Sequence, residues 1–465
     1  MTLEEKDKKY VWHPFTQMKE WLSETPVIIE QGFGSYLIDT EKRRYLDGTS
    51  SIWLNIHGHR KNAINKAISL QLKKIAHTTL LGLSNVPSIL LAEKLITLVQ
   101  KGGLSSLTKV FYSDNGSTAV EVGLKMAFQY WQFKGGIFRK KTKFMTLTNA
   151  YHGDTIGSVS LGGIDLFHKI YKPLLFKSFK APSPYCYRCP MNKSYPDCNL
   201  ACASEAENIL KKYHNEIAAI IIEPLVQAAA GMVVAPQGYL KKIRELCIKY
   251  NVLLMADEVA TGFGRTGLMF ACEHERVIPD IMAIAKGITG GYLPLAATLV
   301  TEDIYNAFLG EYTEFKTFFH GHSYTGNPLG CAAAIANLEV FENERTLDKI
   351  QPKISLLERL ITPLKYHPHV GDVRQKGLMV GIELVKNSGK KSPYLPENKI
   401  GIKVCMEARK MGIMLRPIGN VIILMPPLSI SQTDLKKMVS LIIKSINNIT
   451  FGGHTPNTNN LKSII

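Results

Sequence analysis

The chain lacks the segments that place a protein in a membrane or direct it out of the cell. None of its apolar runs approaches the roughly 18 residues that a membrane span needs, and the opening stretch, MTLEEKDKKYVWHP, contains no apolar core of a signal peptide. We therefore expect a cytoplasmic protein with no membrane partner.

Long basic runs are also missing, although the chain is basic overall. Its 56 Lys and Arg residues against 39 Asp and Glu residues give a net charge of +17, but the lysines are scattered among acids along the whole chain. No motif that interleaves basic and aromatic residues accompanies them, so the charge is typical of a solvated surface, and we expect no nucleic-acid partner. A metal-dependent nucleic-acid-binding protein is the alternative of a different class, and a steep salt dependence of binding would identify it.

Cysteine is sparse, and its spacing is uneven. Eight cysteines in 465 residues without a secretory signal argue against a disulfide framework. Four of them form a CxxC and a CxxxC pattern that suits a structural zinc site or an iron–sulfur cluster, namely Cys186, Cys189, Cys198 and Cys202. A surface insertion with reduced, unliganded thiols explains the same pattern, and both interpretations stay open. The other four lie in apolar surroundings and are expected in the core: Cys247, Cys272, Cys331 and Cys405.

The order of apolar segments predicts the domain organisation. At 465 residues and 45% hydrophobic composition, the chain can form one large domain and a smaller companion. Near the start, GSYLIDTEKRRYLDG is typical of a small hairpin. From about residue 61, apolar runs of strand length alternate with segments of helical period, which predicts a largely parallel sheet covered by helices. The predicted divisions are 1–60 and 335–450 for the two parts of a small domain, 61–334 for a large domain, and 451–465 for a loose polar tail.

A lysine and an aspartate that end two of these apolar runs carry the main functional prediction. Asp257 ends NVLLMAD, and Lys286 follows IMAIA 29 positions later. A lysine amine forms a Schiff base with an aldehyde cofactor, and a buried carboxylate keeps a pyridine nitrogen protonated so that the ring accepts carbanion electrons. The pair therefore indicates pyridoxal phosphate, with Lys286 as covalent anchor and then as general base.

Two glycine-bounded segments at predicted helix starts are candidates for binding the cofactor phosphate. Gly116 and Ser117 follow a predicted strand in FYSDNGSTAVEV, where backbone N–H groups and the helix dipole attract a phosphate. The same pattern also describes a plain N-cap. GHSYTGNPLG, residues 321–330, is a second such loop. Tyr151 in YHGDT lies at a strand end, where an aromatic ring can stack on a planar cofactor.

Together, the segments DEVATGFGRTG, IAKGITGGYLP, YHGDT, EPLVQAAAGM and GHSYTGNPLG resemble those of class-III, fold type I pyridoxal-phosphate aminotransferases, and the resemblance covers nearly the whole chain. It implies an α/β fold in which a large, mostly parallel sheet is joined by a smaller α/β domain built from both chain ends. It also implies a homodimeric transaminase whose active site needs both chains. The catalytic residues that it implies are Lys286, Asp257 and Tyr151. The cofactor ligands that it implies add Gly116 and Ser117, together with His322 and Ser323 reaching the neighbouring subunit's cofactor.

Three further segments, WHPFTQM, SSIWLNIHGH and LRPIGNVIILMPPL, are similar to those of one branch of that family. Its members aminate 8-amino-7-oxononanoate to 7,8-diaminononanoate in biotin biosynthesis. The resemblance points to Arg416 as the group that grips the substrate carboxylate, since guanidinium binds carboxylate in a bidentate manner; without it, an arginine before a proline is more often a surface residue. The implied substrate pocket also contains Phe15, Ile52, Trp53, Tyr151, Lys286 and Gly321, with Glu223 and Arg265 organising the site from behind.

Two departures from the branch concern the amino donor. Members that use S-adenosylmethionine typically have a tyrosine where this chain has Phe15 and a second tryptophan where it has Ile52. Losing a hydroxyl and an indole changes which donor the pocket holds, and these residues slightly favour lysine over S-adenosylmethionine. An ω-aminotransferase of the ornithine or 4-aminobutyrate type is the alternative enzyme, which shares the cofactor residues but not the WHPFTQM and WLNIHGH segments.

Overall fold

The amino-terminal part of the chain forms a small antiparallel sheet. The structure is a computed structural model that describes residues 1–452, so all but two residues of the predicted tail at 451–465 lie outside the described part. Helices α1 (Leu3–Tyr10) and α2 (Met18–Trp21) precede strands β1 (Ile29–Phe33), β2 (Tyr36–Asp39) and β3 (Arg44–Asp47). Strands β2 and β3 are the arms of the predicted hairpin. On its other edge, β3 pairs in parallel with a strand from the far end of the chain, Ile413–Met414.

Thirteen further α-helical segments follow along the described part of the chain. They are α3 (Ser50–Trp53), α4 (Asn62–Leu72), α5 (Val86–Lys101), α6 (Gly116–Lys134), α7 (Ile156–Leu161), α8 (Asp165–His168), α9 (Ala201–Tyr213), α10 (Tyr239–Lys249), α11 (Glu302–Asn306), α12 (Pro328–Asn343), α13 (Thr346–Ile361), α14 (Ile400–Lys410) and α15 (Gln432–Thr450). Among the described residues, none of the helices is both long enough and apolar enough to cross a bilayer.

The central sheet carries the elements that hold the candidate site. Its strands are β4 (Leu107–Ser113), β5 (Lys143–Leu147), β6 (Phe179–Ala181), β7 (Ile217–Ile222), then, after a separate ribbon of β8 (Val226–Gln227) and β9 (Val233–Val234), β10 (Leu253–Asp257), β11 (Ile281–Ile284) and β12 (Ala296–Thr301). Across the sheet the order is β4-β12-β11-β10-β7-β5-β6. Strand β12 is antiparallel to β11 and β4, whereas β10, β11, β7, β5 and β6 pair in parallel. The prediction of a largely parallel sheet is confirmed.

The inner strands are buried along their whole length, as expected for parallel strands covered on both faces. Alternate residues enter two different cores. Ile221 and Met255 pack in the core that α6 covers. Ile220 and Leu254 belong to the larger core on the opposite face, which also receives residues from both chain ends. This double cover leaves the carboxyl ends of the strands as the accessible edge of the sheet, where ligands bind in open α/β folds.

The carboxy-terminal part forms a second small sheet. Its strands are β13 (Val370–Lys376), β14 (Met379–Asn387), β15 (Ser392–Pro393), β17 (Pro417–Ile418) and β18 (Val421–Leu424), and β16 (Ile413–Met414) is the strand that pairs with β3. The amino-terminal strands β1 to β3 and the carboxy-terminal strand β16 therefore lie in one sheet. The predicted division at residue 334 falls inside α12, and the domain limits stay predictions.

The cysteine-rich segment, residues 186–202, packs beside this carboxy-terminal sheet. Arg188 Nε donates to Glu383 Oε1 at 2.7 Å and joins the segment to β14. All eight cysteines are free, and the four expected in the core are buried. Within residues 1–452 no group of three or more His, Cys, Asp and Glu side chains is arranged to hold a metal ion. Burial raises the pKa of the Cys202 thiol to about 11.

Candidate active site

A pocket of about 600 Å³ lies at the carboxyl edge of the central sheet. Asp257 is the last residue of β10, Glu223 directly follows β7, and Lys286 lies two residues beyond the end of β11. Because neighbouring parallel strands end at the same edge, three side chains that are far apart in the sequence meet there. Most of the predicted site residues line this pocket, namely Phe15, Ile52, Trp53, Gly116, Ser117, Tyr151, Glu223, Asp257, Lys286 and Arg416.

Asp257 is held in one orientation by two hydrogen bonds. Its Oδ2 lies 2.7 Å from His152 Nδ1, and its Oδ1 accepts from the Val259 N–H at 3.1 Å. The residue is 4% exposed. On the far side of the imidazole, His152 Nε2 lies 3.3 Å from Thr146 Oγ1. A buried carboxylate that is fixed in this way can accept a hydrogen bond from a ring nitrogen of a bound heterocyclic ligand. It thereby keeps that ligand nitrogen protonated. No function was predicted for His152, and its position beside Tyr151 at a strand end was the only signal.

Lys286 is the amine of the pocket. Burial lowers the pKa of Lys286, while the negative charges of Asp257 and Glu223 raise it in part. A lowered pKa increases the fraction of neutral amine, which is the nucleophilic form. The Lys286 Nζ lies 4.9 Å from the centroid of the Trp53 ring. The backbone of Lys286 has φ of 49°, a left-handed conformation that non-glycine residues rarely adopt outside constrained sites.

Glu223 stands behind this pair. Its two carboxyl oxygens accept from the backbone N–H groups of Tyr151 at 3.2 Å and Ala228 at 2.8 Å. Burial, together with the nearby charge of Asp257, raises the pKa of Glu223 to about 8. A raised pKa favours the neutral carboxyl, which limits the negative charge that Glu223 places beside Asp257.

Arg265, the other residue predicted to support the site, is fully buried. Its guanidinium donates to Asn55 O at 2.9 Å, Pro426 O at 2.8 Å and Ser50 Oγ at 3.2 Å. Burial lowers the pKa of Arg265 to about 9. Its contacts connect the large sheet to segments from both ends of the chain.

The start of α6 lies at the pocket wall, and the backbone N–H groups of a helix start are suited to an anion. Asn115 caps the helix by accepting from the Thr118 N–H at 3.1 Å, and the first N–H groups of a helix have no partner within the helix itself. Gly116 packs closely here, because a Cβ would lie 2.6 Å from Val259 Cγ1. Ser117 Oγ accepts from the Asp154 N–H at 3.1 Å. Gly153, at φ of 124°, lets the YHGDT loop approach, since a Cβ there would lie 2.0 Å from Ser117 Oγ.

Tyr151 is fixed over the pocket by its hydroxyl, which donates to Asp154 Oδ2 at 2.7 Å. Burial and this carboxylate raise the pKa of Tyr151, so the phenol stays neutral. A lysine amine, a fixed carboxylate, a helix start that binds anions and an aromatic ring are the groups that pyridoxal phosphate requires. The residues present fit that cofactor.

The pocket mouth is formed by residues from the two chain ends. Arg416 Nη2 donates to Phe15 O at 3.3 Å, and the Arg416 guanidinium lies 5.9 Å from the centroid of the Phe15 ring. Both side chains are exposed to solvent at this opening. Ile52 and Trp53 also line the pocket. A cation surrounded by apolar side chains is a suitable receptor for an aliphatic chain that carries a carboxylate.

Ile52 and Trp53 belong to an unusual backbone element. The four residues of α3 all have positive φ: Ser50 49°, Ser51 49°, Ile52 67° and Trp53 71°. The Trp53 N–H donates to Thr49 O at 2.7 Å and the Leu54 N–H to Ser50 O at 3.1 Å, so this is one turn of left-handed helix. Each L-residue in such a turn costs roughly 1–2 kcal/mol. No residue pattern predicted this turn, because it contains no glycine.

The predicted residues of the 321–330 loop are not part of this pocket. Gly321 and Ser323 are exposed, and His322 Nδ1 lies 3.4 Å from Asp114 Oδ2, at the edge of the site. Within the single chain, Gly321, His322 and Ser323 therefore do not line the pocket that holds Lys286, and His322 reaches only its edge at Asp114.

Comparisons with known proteins identify the family of the chain. The family model described as aminotransferase class-III matches residues 17–446. An adenosylmethionine-8-amino-7-oxononanoate aminotransferase of Geobacter sulfurreducens is 53% identical over 97% of this chain and 98% of its own length. The enzyme of the same name from Nitratidesulfovibrio vulgaris is 54% identical over 96% of this chain and 82% of its own.

Solved structures show the same similarity in three dimensions. The crystal structure of the adenosylmethionine-8-amino-7-oxononanoate aminotransferase from Methanocaldococcus jannaschii has a TM-score of 0.91 at 47% identity, covering 96% of this chain and 99% of that one. A PLP-bound amine transaminase from an uncultivated Pseudomonas species has a TM-score of 0.89 at 35% identity, covering 95% and 99%. The fold is thus that of the fold type I transaminases, and this chain belongs to the class-III aminotransferase family.

Proposed function

We propose that the chain is a pyridoxal-phosphate-dependent transaminase that converts 8-amino-7-oxononanoate to 7,8-diaminononanoate, a step of biotin biosynthesis. The main support for the proposal is that one pocket contains Lys286, the fixed carboxylate of Asp257 and, at its mouth, Arg416. The names of the relatives supply the substrate, because those from Geobacter sulfurreducens and Nitratidesulfovibrio vulgaris are named for this acceptor.

Each residue has a distinct part in the proposed reaction. Bound pyridoxal phosphate supplies an aldehyde that accepts an amine and a ring that takes up carbanion electrons. The Lys286 amine anchors the cofactor and then carries a proton to and from the reacting carbon. Asp257, oriented by His152, stabilises positive charge at the ring nitrogen. The start of α6 at Gly116 and Ser117 binds the phosphate.

The acceptor has an apolar chain that ends in a carboxylate, and the pocket mouth matches both features. The Arg416 guanidinium binds the carboxylate, while Phe15, Ile52 and Trp53 contact the methylene groups. Tyr151, held by Asp154, closes the side of the pocket near Lys286. This arrangement orients the ketone of the acceptor toward the Lys286 end of the pocket.

Replacing Arg416 with alanine is expected to raise KM for 8-amino-7-oxononanoate more than it changes kcat. A hydrogen bond to a charged group contributes about 1.5–3 kcal/mol, which corresponds to a rise in KM of about 10- to 100-fold. Steady-state kinetics with saturating amino donor measure this change. Arg416→Lys is the matched control and should lie between the two, because lysine keeps the charge but not the bidentate geometry. An unchanged KM in Arg416→Ala would exclude the carboxylate-binding function.

Two amino donors each have one observation in their favour. The relatives are named for S-adenosylmethionine. Phe15 and Ile52 both line the pocket and lack the hydroxyl and the indole that could contact an adenosyl group, which favours lysine.

Adding each donor alone to the cofactor-loaded enzyme should separate these possibilities. The true donor converts the cofactor from its aldehyde to its amine form, with a change in visible absorbance, and subsequent addition of 8-amino-7-oxononanoate restores the starting spectrum. No change with lysine removes lysine as donor, and no change with S-adenosylmethionine removes that compound. Turnover of ornithine with 2-oxoglutarate, without any turnover of the oxononanoate, would replace the proposed function by that of an ω-aminotransferase.

The proposed enzyme acts as a homodimer in the cytoplasm. Support for the dimer comes from the 321–330 loop, where the predicted phosphate ligands His322 and Ser323 lie outside the pocket of their own chain. Large apolar side chains are exposed next to them, including Phe319 at 71% and Tyr324 at 60%. In a dimer this surface is buried, and the loop contributes to the pocket of the neighbouring subunit.

A further inference from the structure

The left-handed turn α3 forms the wall of the pocket that faces Lys286, and it must be held against its own backbone preference. Nothing in the amino acids Ser50, Ser51, Ile52 and Trp53 favours positive φ. A turn of this kind persists only where surrounding contacts determine it, and such contacts cluster at functional sites. The contacts around α3 therefore reveal which residues set the pocket wall.

Asp47 makes the most specific of these contacts. Its Oδ1 accepts from the Ser51 N–H at 2.8 Å, and its Oδ2 accepts from Ser51 Oγ at 2.8 Å. Oδ2 also lies 3.0 Å from His59 Nε2. The side chain is 1% exposed, so no solvent competes for these oxygens. One carboxylate thus grips both the backbone and the side chain of a residue inside the turn.

The backbone of Asp47 is itself fixed. It is the last residue of β3, its N–H donates to Ser35 O at 2.8 Å, and it pairs with Met414 of β16. Two residues beyond Met414, the chain reaches Arg416. The segment that follows β3 leads to Trp53, and the segment that follows β16 leads to Arg416. Asp47 therefore lies where these two pocket-lining segments leave the same small sheet.

We propose that Asp47 is a positioning residue for the substrate pocket: its carboxylate locks Ser51 in the left-handed conformation and so places Ile52 and Trp53 opposite Lys286. The side chain does not line the pocket and acts only through the turn. Ser50 Oγ donates to Met425 O at 2.6 Å and accepts from Arg265 Nη1 at 3.2 Å. These two bonds anchor the start of the turn, but neither reaches Ser51 or Ile52. Without Asp47, those two residues relax toward negative φ and the wall moves.

Glycine adopts positive φ without steric cost. A glycine at position 51 should therefore keep the turn left-handed when the Asp47 carboxylate is absent. Asp47→Ala is expected to raise KM for 8-amino-7-oxononanoate about tenfold with a smaller change in kcat, because a wall that binds substrate is displaced. It should also reduce the near-ultraviolet circular dichroism of the tryptophans. Adding Ser51→Gly to Asp47→Ala is expected to restore most of both signals. Ser51→Gly alone, which keeps the N–H to Asp47, should resemble the wild type.

Two control variants make the result decisive. His59→Ala removes the other contact of Asp47, and glycine at position 51 should give it no benefit. If Asp47→Ala does not fold, Asp47→Asn, which keeps one acceptor oxygen for the Ser51 N–H, enters the same comparison. Failure of Ser51→Gly to improve either Asp47 variant would overturn the proposal, as would an Asp47→Ala enzyme with unchanged KM and dichroism. The inference rests on the proposed function only in the KM measurement, which uses 8-amino-7-oxononanoate. The circular dichroism stays informative if the enzyme acts on a different substrate.

Discussion

Lys286→Ala is expected to abolish transamination, with kcat at least about a thousandfold lower, the size of loss seen when a covalent catalyst is removed. The substitution deletes both the anchor of the cofactor and the carrier of the proton, and no other lysine lines the pocket described in residues 1–452. The measurement is steady-state turnover of 8-amino-7-oxononanoate, with the purified protein first incubated with excess pyridoxal phosphate.

Chemical labelling identifies the amine independently of turnover. Borohydride reduction of the cofactor-loaded wild type should add the mass of the cofactor to the peptide that contains Lys286 and should add none in Lys286→Ala. Lys180 is an internal control, because burial lowers its pKa to about 8 while its Nζ donates to Leu161 O and Gly162 O outside the pocket. Label on Lys180 and none on Lys286 would contradict the assignment.

Asp257→Asn is expected to give the second largest loss, a fall in kcat of about a hundred- to ten-thousandfold with much of the cofactor still bound. Asparagine keeps the shape and an oxygen for the Val259 N–H, but it carries no charge to balance a protonated ring nitrogen. Lys286 and the start of α6 still hold the cofactor, so cofactor binding should fall much less than kcat. The measurements are kcat and the ratio of cofactor to chain after gel filtration.

Asp257→Glu is the matched control for charge. It restores the carboxylate but displaces it by one methylene from His152, whose Nδ1 lies 2.7 Å from the native oxygen. We expect an activity between those of the wild type and Asp257→Asn. A rate in Asp257→Asn within tenfold of the wild type would show that the charge at this position is unimportant.

Much of the fold and the centre of the site were predictable because strand ends carry a local signal. The apolar runs before Asp257 and Lys286 indicated buried strands, and parallel pairing of β10 with β11 brings the two ends together. The start of α6 was predictable for the same reason, since Asn115 and Gly116 are typical of a helix start.

Contacts made across the fold were not predictable. The bond between His152 and Asp257 joins residues 105 positions apart, and neither segment contains a local pattern that indicates the other. The left-handed turn at Ser50–Trp53 could not be predicted because glycine, the residue that usually marks positive φ, is absent from it. The pattern of Cys186, Cys189, Cys198 and Cys202 indicated metal as readily as free thiols, because spacing alone does not fix where the sulfur atoms point.

The pocket combines residues from the middle of the chain with residues from its two ends. Asp257 and Lys286 come from the central sheet, whereas Phe15, Trp53 and Arg416 come from segments next to the small layer in which β3 and β16 pair. In the proposed enzyme, mutations in the terminal segments can therefore change which amine or ketone enters while Asp257 and Lys286 stay as they are. Selectivity in this architecture can evolve separately from reactivity, because the two are encoded in different stretches of the polypeptide.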